Sequence, residues 1–578
     1  MDFMSNFRRI VVGFCLLSLI VAITITASVK REVRAVWMAT VWALDWPIDI
    51  GGSATTQKAE MTKYLDRLKA DNFNAVYFQV RTMCDAFYKS SYEPWSSYLT
   101  GTRGKDPGWD PLAFVVAECH KRGMECHAWV NPYRFSTGSN WNTEQDQQLR
   151  SSGLLLTYDK TTILNPGLDG VRKRIVDVCG EIVDNYDVDG IVFDDYFYPN
   201  GIPVNSSADD YNLWQSSGGQ MAFGDWRRAN VNKMVADVYN MIQAKKPYVK
   251  FGISPAGAAC TSAAVAAKHG IDKCPVASDW QYDGIFSDPV AWLEEGTIDY
   301  ISPQLYWKTD HKTNPFGPMT KWWSYVAKHF GRHHYASHSI SYLNSDGSNT
   351  VGDWEEIGEQ LELSREYTEN DAPGEVYYSA AYITGKKKSG FGEWLLANKY
   401  KHPALTPAID WKKSEPEATS VTSLSKRQTV LSWVGVSGMR YSVYAIPEGV
   451  TVVTGDLPAE YLLGVSYTSS FKMPTDKTSG YQYAVCVLDR YGNEYAPVFY
   501  GNSGVETVSD GKLMSATYAN GQLLLDGVAD MVTVFNASGL AIKKTEKCSG
   551  MELRAPTGIY IVRIECGGNV NVMKIAVK

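Results

Sequence analysis

The sequence is short of several things that would define other protein classes. Long apolar runs are scarce: the one near the amino terminus, Ile10 to Ile25, falls short of the roughly 20 residues a spanning helix needs, so a polytopic membrane protein is excluded. Basic charge is not in excess, since 56 Lys and Arg stand against 63 Asp and Glu for a net charge of -7, and no basic surface advertises nucleic acid. Histidine is sparse at 9 residues and shows no metal-ligand spacing, nor do the cysteines form close pairs of that kind, so a zinc site is disfavoured. No glycine-rich loop follows a strand-like run, which argues against nucleotide binding. Ser254 has no His in its strand, which disfavours a serine hydrolase. No cofactor or metal is expected. What is abundant is aromatic: 18 Trp, 35 Tyr and 19 Phe suit either a cleft that stacks sugar rings or a large barrel with broad helices. At 578 residues the chain has room for roughly three to five domains.

Arg8 and Arg9, the apolar run and then Thr26, Ala27 and Ser28 follow the order of a secretory signal peptide. Residues 1–27 are predicted to be such a segment, with an uncleaved anchor as the alternative. Export to the periplasm, cell surface or medium follows, with no integral membrane domain after cleavage. Cys15 is preceded by Phe14, so a lipoprotein cleavage site is not expected. The nine other cysteines of the ten in the chain mostly sit in apolar runs and read as buried thiols, with Cys260 and Cys274 able to close one loop disulfide.

From Arg34 to about Thr384, short apolar runs alternate with amphipathic stretches. The runs begin at Ala35, Ala75, Cys126, Gly190, Phe251, Tyr300, His334 and Val376, and Lys58–Ala70, Pro111–Arg122, Val171–Tyr186 and Trp226–Ala244 read as helices between them. Such repeats predict an α/β fold, a (β/α)8 TIM barrel over residues 32–405, ahead of an open doubly wound sheet as the runner-up. After Pro403 and Pro407 the texture changes to alternating strands, so the barrel is followed by two small all-β sandwich modules. Residues 415–501, with Trp433 in an early strand and a turn-rich Asp489–Glu494 segment, resemble a fibronectin type III sandwich. Residues 505–578, ending in Pro556-Thr557-Gly558-Ile559-Tyr560 and Val572-Met573-Lys574-Ile575, resemble the carboxy-terminal sorting domain of the type IX secretion route, with a plain terminal β-module as the alternative.

A barrel places its chemistry at the carboxyl ends of its strands, and this sequence is rich in polar residues there. The second strand closes on Gln79 and Arg81 with Asp85 after it. The third reads His127-Ala128-Trp129-Val130-Asn131-Pro132-Tyr133-Arg134, the fourth ends Asp194-Asp195-Tyr196-Phe197-Tyr198, the fifth reaches Ser254, and the sixth ends Pro303-Gln304-Leu305-Tyr306-Trp307. These ends are expected to share one rim that lines a cleft. Arg34-Ala35-Val36-Trp37, Phe78-Gln79-Val80-Arg81, Asp110-Pro111-Leu112, the His127–Arg134 run, Asp189-Gly190-Ile191 with Asp194-Asp195-Tyr196, Asp225-Trp226-Arg227-Arg228 and Pro303–Trp307 resemble the glycosyl hydrolase-like 10 family over most of residues 32 to 385. That resemblance implies an exported bacterial glycosidase. One branch of the family is a divisome-localised enzyme acting on denuded peptidoglycan strands, so the implied partner is a polysaccharide, peptidoglycan glycan or a related amino-sugar polymer.

Asp194 and Asp195 are neighbours, and on a regular strand they would face opposite sides. If the second turns inward, like-charge repulsion raises one pKa and leaves the other ionised, supplying an acid and a base. A conventional glycosidase pair would need Asp194 with Asp310 or Asp85. Substrate-assisted hydrolysis, in which the sugar's own acetamide attacks, needs only the adjacent acids. The segment also resembles family 18 chitinases, with Asp194 in the amide-orienting position, but Tyr196 stands where the chitinase acid Glu would be, and Asp195 is expected to take that role. Arg81, Asp85, His127, Asn131, Arg134, Tyr198, Gln304, Tyr306 and Trp307 are the expected substrate contacts, Arg81 being the first choice for a sugar carboxylate, with pairing to Asp85 or Asp194 as its structural alternative. Asp225 reads as an N-cap. A non-catalytic glycan-binding protein on the same scaffold is the second reading of function.

Overall fold

The computed structural model describes residues 29–577 apart from 140, 218–219, 277–278, 342–352, 369–373, 385–386, 388–389, 413–415, 453–455, 501–515, 520, 537–539 and 568; the predicted signal segment lies outside the described residues. The apolar runs become eight barrel strands: β1 Val33–Met38, β2 Ala75–Arg81, β3 Glu125–Val130, β4 Gly190–Phe193, β5 Lys250–Ile253, β6 Tyr300–Ile301, β7 in two pieces, His333–His334 and Ala336–Ser339, and β8 Gly374–Tyr378. All pair in parallel in chain order, and β8 pairs with β1. The first piece of β7 pairs with β6 and the second with β8. Only Tyr335 separates the pieces, so the sheet closes on itself. A helix follows each strand: α1 Ala54–Ala70, α2 Pro111–Lys121, α3 Asp169–Asn185, α4 Phe223–Lys245, α5 Pro289–Glu294, α6 Phe316–His329, α7 Trp354–Tyr367 and α8 Phe391–Asn398. Several start where the sequence can satisfy the free amides of a first turn, as where Asp110 caps Ala113 with Pro111 at the first helical position. Asp225 is not the N-cap of α4: the helix begins two residues earlier, and Asp225 pairs with Arg228 at 2.6 Å in the first turn.

Alternation sorts the side chains. On β2 and β3, Val76, Phe78, Val80, Cys126, Ala128 and Val130 pack outward in the main core against the helices, while Trp37, Tyr77, Trp129, Tyr300 and Tyr335 fill the barrel. The interior is unusually aromatic, Trp37 meeting Tyr77 and Trp129 edge-on at 5.0 and 4.9 Å. Much of the aromatic count is therefore core.

Two all-β units follow. Strands β9 Thr422–Arg427, β10 Val430–Val434, β11 Arg440–Pro447, β12 Leu462–Ser466, β13 Ser470–Lys472, β14 Tyr481–Leu488 and β15 Val498–Tyr500 form two sheets, β9-β10-β13 and β12-β11-β14-β15, around Leu431, Trp433, Tyr441 and Val485. The last unit is one five-stranded antiparallel sheet, β16 Ala516–Ala519, β17 Gln522–Phe535, β18 Ala541–Glu552, β19 Gly558–Cys566 and β20 Asn569–Val577, with its own core around Val532, Val562 and Ile564. Its long β17 carries both β18 and β19. All nine described cysteines are free, and Cys260 and Cys274 meet only through the Cys274 amide and the Cys260 carbonyl, so no loop disulfide is formed.

The seven-stranded unit sits against the amino-terminal end of the barrel, where Glu125, Asp189 and Asp299 stand at or just before the starts of β3, β4 and β6. Arg440 and Lys250 both reach Glu125, at 3.0 and 2.8 Å. Tyr467 and Arg490 donate to Asp189 at 3.0 and 3.2 Å, His120 reaches the same carboxylate at 2.9 Å, and the His120 and Tyr467 rings stack at 3.8 Å. Lys412 and Trp411, on the segment joining the two units, take Asp299. Gly123 has φ +69° and lies so close to Val465 that a Cβ would stand 2.1 Å from its carbonyl oxygen, so this junction accepts only glycine.

Candidate active site

The fourth strand ends at Phe193, and beyond it the strict alternation lapses, which brings the Asp194 and Asp195 carboxyls close enough to act on each other's charge. Asp194 is 9 % exposed and Asp195 half-buried. Asp194 Oδ1 accepts from the Asp195 amide at 2.8 Å and from Gln304 Nε2 at 3.1 Å. Burial pushes both acids up. For Asp195 the charge of Asp194 adds to burial and lifts it well above the carboxylate range; for Asp194 the Asp195 amide, Arg134 and Gln304 work in the opposite direction and limit the rise. Both acids are therefore biased toward the protonated form, Asp195 the more strongly.

Around the pair stand residues from five other strands, β3 and β5 to β8. Gln304 also donates to the Ser254 carbonyl at 3.3 Å, which ties the ends of β5 and β6 to Asp194. Tyr306 is half-buried beside Ser337, its hydroxyl held protonated by burial and by the nearby Asp194 and Asp195 charges. Its ring lies 6.3 Å from that of Tyr378 at the end of β8. Ser337 in turn accepts from Trp37 Nε1 at 3.1 Å. Arg134 lays its guanidinium 3.8 Å over the ring of Tyr196, which is 39 % exposed at the mouth. Trp307 is half-buried, and its ring approaches Gly257 so closely that a Cβ there would lie at 2.5 Å.

Five of the expected contacts are placed elsewhere or already engaged. Arg81 is 1 % exposed and holds Glu93 through Nε and Nη2 at 3.1 and 2.8 Å, with Nη1 on the Asn131 carbonyl at 2.5 Å; its fork is spent inside the protein. Its partner is neither Asp85 nor Asp194. Asp85 is buried and accepts from the Thr82 and Met83 amides and the Thr82 hydroxyl, fixing the loop after β2, which removes it as a second catalytic carboxylate. His127 is not on the rim: it pairs in register with Gly190, bonds Tyr300 at 2.9 Å and Glu125 at 3.1 Å, and stacks on Tyr77. At about 3.3 Å per residue it lies roughly 13 Å below Asn131, in a lower layer of the barrel than Gln304, so the shared rim expected from sequence does not include it. Asn131 reaches the rim but is 1 % exposed with both ends engaged, by Trp129 Nε1 at 2.9 Å and the Thr82 carbonyl at 3.2 Å. Tyr198 is 2 % exposed and turned beneath the loop against Phe286 and Arg227. Asp194, Asp195, Arg134, Gln304, Tyr306 and Trp307 remain about one cleft. Asp310 is exposed in the loop beyond Trp307.

Residues 32–354 match the model of the glycosyl hydrolase-like 10 family. The chain belongs to the glycosyl hydrolase-like 10 family. It is 36 % identical over 430 residues to glycosyl hydrolase YngK of Bacillus subtilis (strain 168), covering 72 % of this chain and 82 % of that protein. It is 34 % identical over 374 residues to glycosyl hydrolase DigH of Escherichia coli (strain K12), covering 61 % and 82 %. Among solved structures, the glycoside hydrolase domain of PgaB (BpsB) from Bordetella bronchiseptica aligns with a TM-score of 0.43 at 12 % identity, over 64 % of this chain and 98 % of that one. For this member of the glycosyl hydrolase-like 10 family, sequence reading did not single out Tyr378, Ser337 or Trp42. Tyr378 and Ser337 close the last strands of an aromatic barrel and carry no motif of their own. Trp42 is 56 % exposed on the loop after β1 with φ +52°; Gln79, which accepts from the Thr40 and Val41 amides at 3.0 and 2.9 Å, holds that loop.

Proposed function

We propose that the protein is an exported glycoside hydrolase that cleaves glycosidic bonds in an N-acetylated polysaccharide, most plainly peptidoglycan glycan, with Asp195 as general acid and Asp194 as the carboxylate that orients the sugar's acetamide. The observation that carries the reading is the adjacent Asp194–Asp195 pair at the end of β4, anchored by Gln304 and near Tyr306, with Asp195 biased toward its protonated form. An acid held protonated beside an ionised carboxylate is the division of labour glycoside cleavage requires. Substrate assistance is favoured because Asp85, one of the two partners a conventional pair with Asp194 would need, is committed to loop amides; the other, Asp310, is exposed beyond Trp307. Membership of a family whose relatives are named glycosyl hydrolases supports the reaction class, and the order of charges and apolar residues in the first 27 positions supports export. A non-catalytic glycan binder is the second reading, favoured by Tyr196 in place of a chitinase-type Glu.

Reducing-end release from denuded peptidoglycan, chitin oligosaccharides and neutral glucans by the full-length protein, with products identified by mass spectrometry, separates the two. Release from the N-acetylated glycans alone is the expected result, and a de-N-acetylated strand should bind yet resist cleavage because its internal nucleophile is gone. Binding without release from any glycan would establish the binder. Equal cleavage of acetylated and deacetylated strands would establish a protein nucleophile.

A further inference from the structure

The arginines packed into the barrel end of this protein are, with one exception, committed. Arg81, Arg103, Arg172, Arg174, Arg227 and Arg228 each meet a carboxylate. The Arg134 side chain forms no hydrogen bond or ion pair with any described residue, although it is half-buried and near enough to Asp194 and Asp195 to act on both charges. What fixes it is the face of Tyr196, 3.8 Å beneath the guanidinium. Stacking of this kind leaves the in-plane N–H groups unspent, and a guanidinium offers five of them in a fork that matches a carboxylate. Asp194 Oδ1 already accepts from the Asp195 amide and from Gln304, and no hydrogen bond joins either acid to the guanidinium.

Arg81, the other candidate for binding a sugar carboxylate, is consumed by Glu93. We infer that Arg134, presented on Tyr196, is a specificity-determining residue that binds a free carboxylate carried by a sugar next to the scissile bond, so that the preferred glycan is an acidic one. The carboxylate has two chemical sources, a carboxyalkyl ether on an amino sugar or the C6 carboxyl of a uronic acid, and its conversion to an amide abolishes the charge that the fork reads. The inference rests on the glycan cleft proposed above but not on turnover, because it is read by binding.

The test uses the full-length protein and four ligands: an amino-sugar oligosaccharide with free lactyl ether carboxylates, the same oligosaccharide with those carboxylates converted to methyl amides, an oligouronide, and a chitin oligosaccharide with no carboxylate. Affinities are measured by titration calorimetry, alongside cleavage. The unaltered protein should bind one of the two carboxylate ligands at least about tenfold more tightly than the methyl amide, the size of one charge-assisted contact, and the ligand so preferred identifies the source. Arg134→Gln should bring that affinity down to the amide's, a loss several-fold greater than any loss of chitin binding. Arg134→Lys should keep part of the preference, since it retains the charge and loses the fork, and it answers the question if Arg134→Gln does not fold. Equal affinity for carboxylate and amide ligands in the unaltered protein, or an equal loss on all four ligands in Arg134→Gln, would overturn the inference. Discrimination without cleavage of any ligand would uphold the carboxylate site while overturning hydrolysis.

Discussion

Under the proposed mechanism Asp195 is the acid and Asp194 the orienting carboxylate, and their individual contributions separate best by substitution and by pH. Asp195→Asn keeps the volume and removes the proton donor; hydrolysis should fall by about 100-fold or more while glycan affinity, measured by calorimetry, persists. Unchanged turnover would move the acid to Asp310, the acidic residue left exposed beyond Trp307. The pH profile of kcat/KM should be a bell displaced upward from the ordinary carboxylate range. Its alkaline limb falls as Asp195 ionises, and its acid limb falls as Asp194 is protonated, both above their usual positions because burial disfavours the charged forms. Gln304 favours the ionised form of Asp194 through its amide N–H. Gln304→Leu should therefore shift the acid limb to higher pH and narrow the bell, whereas a purely structural glutamine would lower the rate without moving either limb.

At the scale of elements, the loop carrying Tyr306 and Trp307 is held from outside the barrel. Gln360 on α7 donates to the Trp307 carbonyl at 3.1 Å, and Glu356 on the same helix accepts from the Thr309 amide at 2.7 Å. Gln360 also faces His338 Nδ1 at 2.8 Å, while the other nitrogen of that buried ring contacts Glu375. Gln360→Ala would free the Trp307 loop and strand His338 Nδ1. The expected cost is about 1–3 kcal/mol of stability for the unsatisfied buried group, read by chemical denaturation, with KM rising more than kcat falls because the residue lies behind the cleft. Helix and strand positions were legible in the chain because their periods are local: apolar alternation on β2 and β3 and the Asp110-Pro111 start of α2 need no distant partner. Height within the barrel was not legible. His127, Trp129 and Asn131 share one face at period two, and the sequence does not say that the first of them meets Glu125 and Tyr300 far below the cleft.

The whole molecule rests its barrel on the seven-stranded unit, which makes that unit part of the barrel's fold rather than an appendage. Glu125, Asp189 and Asp299 each take partners from residues beyond 405. Arg440→Met should destabilise the full chain by about 3 kcal/mol, the lower end for breaking a buried pair because Lys250 remains on Glu125. A barrel cut at residue 405 should fail to unfold cooperatively on heating. The pH dependence of stability follows from the same network. Lys250, with His127 and Arg440, holds Glu125 far below its ordinary 4.5, and His120, with Arg490, does the same for Asp189 below 3.8. Depressed carboxylates lend stability that is present above their unfolded values and is lost as pH falls through the range between the unfolded and folded values. The share of stability that these two carboxylates lend should thus be withdrawn below about pH 4.5, and Arg440→Met should reduce that share, read as a smaller difference in thermal midpoint between about pH 5 and about pH 3 than in the unaltered protein.

By itself the sequence determined the order of barrel strands and helices, the change to β-structure after the barrel, and the acidic pair, because each is written in residues a few positions apart whose period or adjacency has a single physical reading. Only the tertiary structure decided which polar residues face the cleft. Arg81 found Glu93 in a following loop, Asp85 turned back onto its own loop's amides, Tyr198 went under the loop beside Arg227, and Arg134 alone among these kept an unspent fork beside the acids. Closure of the barrel sets those choices, since it brings together strand ends more than a hundred residues apart, as it brings Gln304 to Asp194, and a buried charge takes whichever partner that closure places within reach.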